Sequence, residues 1–148
     1  MTSGEGVERI RTIAVTASDV VTAAEAGHRG GDDEGRTVLR ITPPFSGRMR
    51  ARIHQARPDE YADADPPHPV HVPPADLLGP AAPAYPTPSD TEDELRADPD
   101  AEYTPERHRE RHVAAVEAWR EQARKAIADT VTLRTPARDH EVSVAVLG

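Results

Sequence analysis

Apolar positions recur along the chain with periods that change from segment to segment. Ile10 and residues 13–15 open with an apolar stretch, after which Thr16 or Ser18 can cap a short helix through Val20, Val21, Ala24 and Ala26. Gly27 is placed to end that helix in the left-handed conformation, and residues 28–35 read as a glycine and aspartate loop. Residues 37–41 have the character of a strand, stopped by Pro43-Pro44, and residues 48–54 alternate strictly. A hairpin through residues 42–47 is therefore expected. The strongest local signal predicts a helix from Pro105 to about residue 128: Thr104 suits the N-cap, Pro105 the first turn, and Glu106 the positive end of the helix dipole. Ala115, Val116, Trp119, Ala123, Ala126 and Ile127 make one apolar stripe along it, and Glu121 and Lys125 form an i,i+4 pair on the outer side. Residues 131–135 and 141–147 close the chain as strands around a turn at 136–140. In the last strand Val142, Val144 and Val146 share one face and Ala145 and Leu147 the other, so a central place in its sheet is predicted.

One segment breaks this regularity. Residues 58–106 hold twelve of the fifteen prolines and thirteen acids against one base, Arg96, whereas the rest carries seventeen bases to thirteen acids. Proline removes backbone donors and like charges repel, so regular structure is not expected there, except near residues 75–78 in an apolar island that can dock on a core. The expected architecture is α+β: one small domain with core residues 7–57 and 104–148, antiparallel strands packed against one long C-terminal helix, and an acidic, proline-rich insert at 58–103. Trp119, Val116, Ile127 and Val144 are its expected core residues, with Trp119 packed on the two final strands.

Composition narrows the function classes. At 148 residues a single domain is the default. No cysteine is present, which excludes disulfides, thiolate metal sites and cysteine nucleophiles. The first residues have no basic signal-like region and no apolar run approaches 18 residues, so a cytoplasmic protein without a membrane partner is expected. The net charge is −8, and of the 18 basic residues only Lys125 is not arginine. Carboxylates hold hydration in concentrated salt, where a Debye length of roughly 3 Å at 1 M screens their repulsion. In this balance, and in Thr42-Pro43-Pro44-Phe45-Ser46-Gly47-Arg48-Met49-Arg50-Ala51-Arg52, the chain resembles the small proteins without described activity common in haloarchaeal genomes. That resemblance implies a halophilic setting and no particular reaction.

Two constellations carry candidate chemistry. In a strand over residues 48–53, Arg48, Arg50 and Arg52 share one face, with Arg57 close behind, and planar guanidinium groups suit phosphate oxygens. The same arginines equally suit the solvated face of a half-buried strand, and no aromatic interleaving or zinc-finger spacing accompanies them. His108 and His112, four apart on a helix, point the same way and would accept zinc if His71, His68 or His140 supplied a third ligand. Arg109 stands where a His-Glu-x-x-His motif carries its glutamate, and Glu110 lies about 200° from His108 around the helix. The acidic glycine loop at 27–35 follows a helix and leads into a strand, the reverse of a phosphate-cradling loop. The readings rank as follows: a non-enzymatic interaction protein binding a protein partner or its own copy, a nucleic-acid-associated protein using the arginine strand, and a metal-dependent hydrolase at His108 and His112. The first needs no cofactor; the third needs zinc.

Overall fold

The structure, a computed structural model, describes residues 6–28, 36–135 and 138–148. The glycine and aspartate loop at 29–35 and the turn residues 136–137 lie outside the described residues. The fold is α+β, with strands β1 (Thr12–Thr16), β2 (Arg36–Ile41), β3 (Arg48–Arg50), β4 (Arg52–Ala56), β5 (Val70–Val72), β6 (Thr130–Arg134) and β7 (Asp139–Leu147). The helices are α1 (Ala17–His28), α2 (Pro88–Ala97) and α3 (Pro105–Lys125). A four-stranded sheet runs β3-β1-β7-β6 and a three-stranded sheet β4-β2-β5. β1 is parallel to both β3 and β7, and the remaining pairs are antiparallel.

The sheets face each other across a core of Ile10, Ile13, Val15, Leu39, Ile41, Val72, Leu133 and Val142. Alternation along each strand puts those residues inward, apart from Ile10, which follows the 3-10 turn at Val7–Arg9 before β1. Both faces of β7 carry apolar residues, and it lies between β1 and β6 as the pattern predicts. Thr16 caps α1 by accepting a hydrogen bond from the Asp19 amide at 3.1 Å. Gly27 does not end α1, which continues to His28.

The antiparallel pairing expected across residues 42–47 forms between β2 and β4, but over a longer connection that includes β3, because the alternating run from Arg48 breaks at Ala51. The Ala51 amide donates to Ala14 in the larger sheet at 2.9 Å, and the next residue, Arg52, already pairs with Arg40 in the smaller one. Ala51 is fully buried at this corner, where a small side chain lets the strand switch sheets.

Residues 58–103 carry more regular structure than their composition predicts. β5 pairs with β2, a 3-10 turn at Pro74–Leu77 buries Leu77, and α2 occupies Pro88–Ala97. Ten residues without proline follow Pro88, long enough for a helix. Thr87 caps it by accepting from the Asp90 amide at 3.1 Å, as Thr104 caps α3 by accepting from Arg107 at 3.0 Å. The segment is also bonded to the core: Gly79 donates to the Ala126 carbonyl at 2.6 Å and Ala128 to Leu77 at 2.8 Å.

The long helix α3 is present as predicted, but its buried side meets other helices. Val116 and Trp119 are buried, and Ile127 and Val144 are half-buried against the main core. Trp119 packs with Val21 and Ala24 of α1, Ala123 and Tyr85, not on the two final strands, and its indole Nε1 donates to the Pro83 carbonyl at 3.0 Å. The strands are already covered by each other and by α1, so the stripe of α3 takes up α1 and the insert. Among the described residues no helix is long and apolar enough to cross a membrane.

Candidate metal centre

The smaller sheet has one face toward the core and one face outward. Val38 lies opposite His54, and Arg40 lies between Arg52 and His71, so pleating places these side chains together on the outer face. After β4 the chain turns back across that face. Asp59 adopts φ 57°, in the left-handed region that aspartate tolerates better than most residues. The turn brings Glu60 and Tyr61 over the strands.

Three side chains converge there. The His54 Nε2 lies 3.1 Å from each carboxylate oxygen of Glu60, and the His71 Nε2 lies 3.5 Å from Oε1 of the same group. The potential ligand atoms of His54, Glu60 and His71 all lie within 4.8 Å of one another. The Tyr61 hydroxyl is 2.8 Å from the His71 Nε2, and the Arg57 amide donates to Glu60 at 3.4 Å. The side chains of the triad are 17 to 19% exposed, so they are shielded yet reachable. Beside them opens a cleft of about 800 Å³ lined by Glu60, Tyr61, His71 and Arg57 and walled by prolines 66, 67 and 69.

The electrostatics suit ligation. Burial pushes the His71 imidazole below its ordinary value; Glu60 opposes this, while His54, Arg36 and Arg40 add to it. His71 is thereby biased toward the neutral form, which has a lone pair to give. Burial pushes the Glu60 carboxyl upward, but hydrogen bonds from His54 and the Arg57 amide, with the fields of both imidazoles, outweigh it and hold the group below the usual carboxylate range. Glu60 is therefore an anion at neutral pH.

A family model matches residues 1–148. The chain belongs to that family, a domain of unknown function (DUF8009). No curated protein and no solved structure matches it.

The residues singled out from sequence fall elsewhere. Arg48 and Arg50 lie on β3 opposite Thr12 and Ala14, while Arg52 belongs to the other sheet and Arg57 to the cleft. The turn at Ala51 thus divides the arginine strip. Arg50 is half-buried, and its Nε is buried without a hydrogen-bond partner. His108 and His112 do share one side of α3, where both meet the Thr91 hydroxyl, at 3.0 and 3.1 Å. Thr91 is 1% exposed, and its hydroxyl also lies 3.1 Å from the Pro88 carbonyl. The His108 Nε2 is nearer still, 2.9 Å, to the same carbonyl, which can only accept, so His108 donates to Pro88 with the Thr91 oxygen beside it, while the Thr91 oxygen is left as the partner of His112; together these bonds fasten α2 to α3.

No third ligand joins this pair among the described residues. His68 is bonded to the Ala64 carbonyl and His140 to that of Ile10, while Glu110 is exposed. His71 is drawn instead into the triad. The sequence offers His71 only as a partner for the α3 histidines and does not single out His54, Glu60 or Tyr61. The Val70-His71-Val72 alternation hinted at a strand, but its pairing with β2, which sets the site, has no local signature.

Proposed function

We propose that the protein binds a divalent transition-metal ion through His54, Glu60 and His71, with open coordination positions facing the cleft. The carrying observation is the convergence of these three groups from β4, β5 and the intervening turn. Ligands about 2.1 Å from one cation stand about 3.0 to 3.4 Å apart in octahedral or tetrahedral geometry. Two of the three separations, His54 to Glu60 at 3.1 Å and His71 to Glu60 at 3.5 Å, are close to those edges, and the third lies within 4.8 Å. Two imidazoles and one carboxylate favour zinc or a neighbouring transition metal over calcium or magnesium, which prefer all-oxygen shells. Three protein ligands leave room for water or a bound molecule. The competing account is a hydrogen-bonded clasp holding the turn on the sheet.

Calorimetric titration of the full chain with Zn²⁺ decides between them. One equivalent should bind to the native protein and not to the His54→Ala/His71→Ala double variant. Equal binding by both, or by neither, rejects the metal site. A second reading, a protein partner or a second copy, is supported by Val146 and Leu147 at the end of β7, which are 47 and 36% exposed. Sedimentation over a concentration series tests self-association, for which a constant monomer mass is the contrary result.

A further inference from the structure

A fourth side chain stands at the triad. Tyr61 follows Glu60 in the turn over the smaller sheet, and its hydroxyl lies 2.8 Å from the His71 Nε2. That nitrogen is also the one facing Glu60, at 3.5 Å, so the phenol is aimed at the atom that His71 offers to a metal. A hydrogen bond accounts for the contact in the metal-free chain. A cation on Nε2 takes the lone pair, ends that hydrogen bond, and leaves the phenol oxygen one coordination edge away. The 2.8 Å separation is near the edge of about 3.0 Å in an octahedron with bonds of about 2.1 Å. The ring is held in this pose by its neighbours. It meets His71 edge to face at a centroid distance of 5.3 Å and stacks with His68 at 5.9 Å, and His68 is itself bonded to the Ala64 carbonyl at 3.0 Å. Tyr61 lines the cleft together with Glu60 and His71.

We propose that Tyr61 is a fourth metal ligand, bound through its oxygen as phenolate, and that with it the site takes Fe³⁺ as well as the divalent ions that His54, Glu60 and His71 serve alone. This assignment rests on the metal reading. Binding forms an iron–oxygen bond and passes the phenol proton to solvent, with no change in oxidation state. Charge suits the trivalent ion: Glu60 offsets one unit of a dication, whereas Glu60 and a phenolate offset two units of Fe³⁺, so the residual charge is the same. Ligand hardness agrees, because phenolate and carboxylate are hard oxygen donors and Fe³⁺ is a harder ion than Zn²⁺. Four ligands on a six-coordinate ion leave two positions for water or a bound molecule.

The experiment loads the full chain with Fe³⁺ supplied as its nitrilotriacetate complex and removes the free complex by gel filtration. One equivalent of iron should be retained, with the visible phenolate-to-iron charge-transfer band that carboxylate and imidazole ligands do not give. Raman excitation within that band should enhance tyrosinate ring vibrations. Tyr61→Phe should lose the band and at least about 10-fold in Fe³⁺ affinity, the lower end of what even an outer-shell partner is worth to a metal site. The same variant should still bind Zn²⁺, since the triad is intact. Tyr103→Phe should keep the band, because Tyr103 lies under the Arg96 guanidinium and not at the triad. Iron retained without the band, or a band that survives Tyr61→Phe, rejects the phenolate ligand and leaves the metal site standing. Native protein that binds Zn²⁺ but not Fe³⁺ does the same. If Tyr61→Phe fails to fold, the Raman spectrum of the native protein decides by itself. Failure of the native chain to bind either ion rejects the metal reading and the inference built on it.

Discussion

Replacing Trp119 with alanine tests how the insert and the helices are held together. The ring is 4% exposed and fills the space between α1 and α3, against Val21, Ala24 and Ala123. It meets Tyr85 edge to face at a centroid distance of 4.9 Å, and its Nε1 donates to the Pro83 carbonyl at 3.0 Å. Truncation removes buried apolar area and leaves a cavity, a change that costs about 3 to 5 kcal/mol for buried Phe or Trp. The lost indole bond adds about 1 kcal/mol by itself, so Trp119→Phe should cost about 1 to 2 kcal/mol when the smaller ring is included. Urea melts followed by circular dichroism give both values, since the sole tryptophan is lost as a fluorescent probe in the variants. Amide exchange should also quicken in residues 81–85 of Trp119→Ala, because their attachment to α3 is cut. In the native protein, emission should be blue-shifted and resistant to iodide. A Trp119→Ala cost below about 1 kcal/mol, a small fraction of the usual cavity penalty, would refute the packing argument.

Two further outcomes concern how α2 is held on α3. Thr91→Val keeps the shape but removes the hydroxyl that meets His112, while His108 keeps the Pro88 carbonyl at 2.9 Å, so urea denaturation should show a loss of about 1 kcal/mol, the usual net worth of one hydrogen bond; a change within about 0.3 kcal/mol would show that water serves His112 equally well. Asp98 is held below the usual carboxylate range by the Asp100 amide and by Arg111, with burial opposing, so its folded-state pKa is depressed and its contribution is present above about pH 4 and lost as pH falls through the folded value. Thermal melts of wild type and Asp98→Asn should therefore differ near neutral pH and converge in acid, and a gap that persists unchanged to pH 2 would contradict that linkage.

What the sequence revealed, and what it hid, follows from the range of the interactions involved. α3 was legible because Thr104, Pro105 and Glu106 act within one turn, and the central place of β7 because both its faces are apolar. α2 carries the same start signal in Thr87 and Pro88, yet the surrounding prolines and acids masked it. Those prolines cluster before Thr87 and at Pro99, so they bound the helix without interrupting it. The break at Ala51 left no trace in the alternation, because residues on both sides continue the same period in different sheets. His54, Glu60 and His71 are separated by six and eleven residues, distances that carry no ligand motif. Their meeting depends on the pairing of β5 with β2 and on the backward turn at Asp59, both set by tertiary structure.

The proline-rich segment is thus part of the folded unit rather than an appendage to it. It supplies β5 to the smaller sheet, Leu77 to the main core, the Pro83 carbonyl to Trp119, and Thr91 and Leu95 to the face of α2 that is buried. Tyr85 donates to Glu25, whose carboxylate also receives two 2.8 Å bonds from Arg120, so the segment additionally joins an ion pair between α1 and α3. Its many carboxylates remain compatible with folding because most face solvent, while the residues that dock are apolar or hydrogen-bonded. The candidate metal centre follows the same division of labour. His54 comes from the conventional β-strand core, Glu60 and His71 from the segment, and a cation shared by all three would fasten one to the other. Ligand binding and attachment of the segment would then be linked, since an ion that requires both sides stabilises only the arrangement in which they meet.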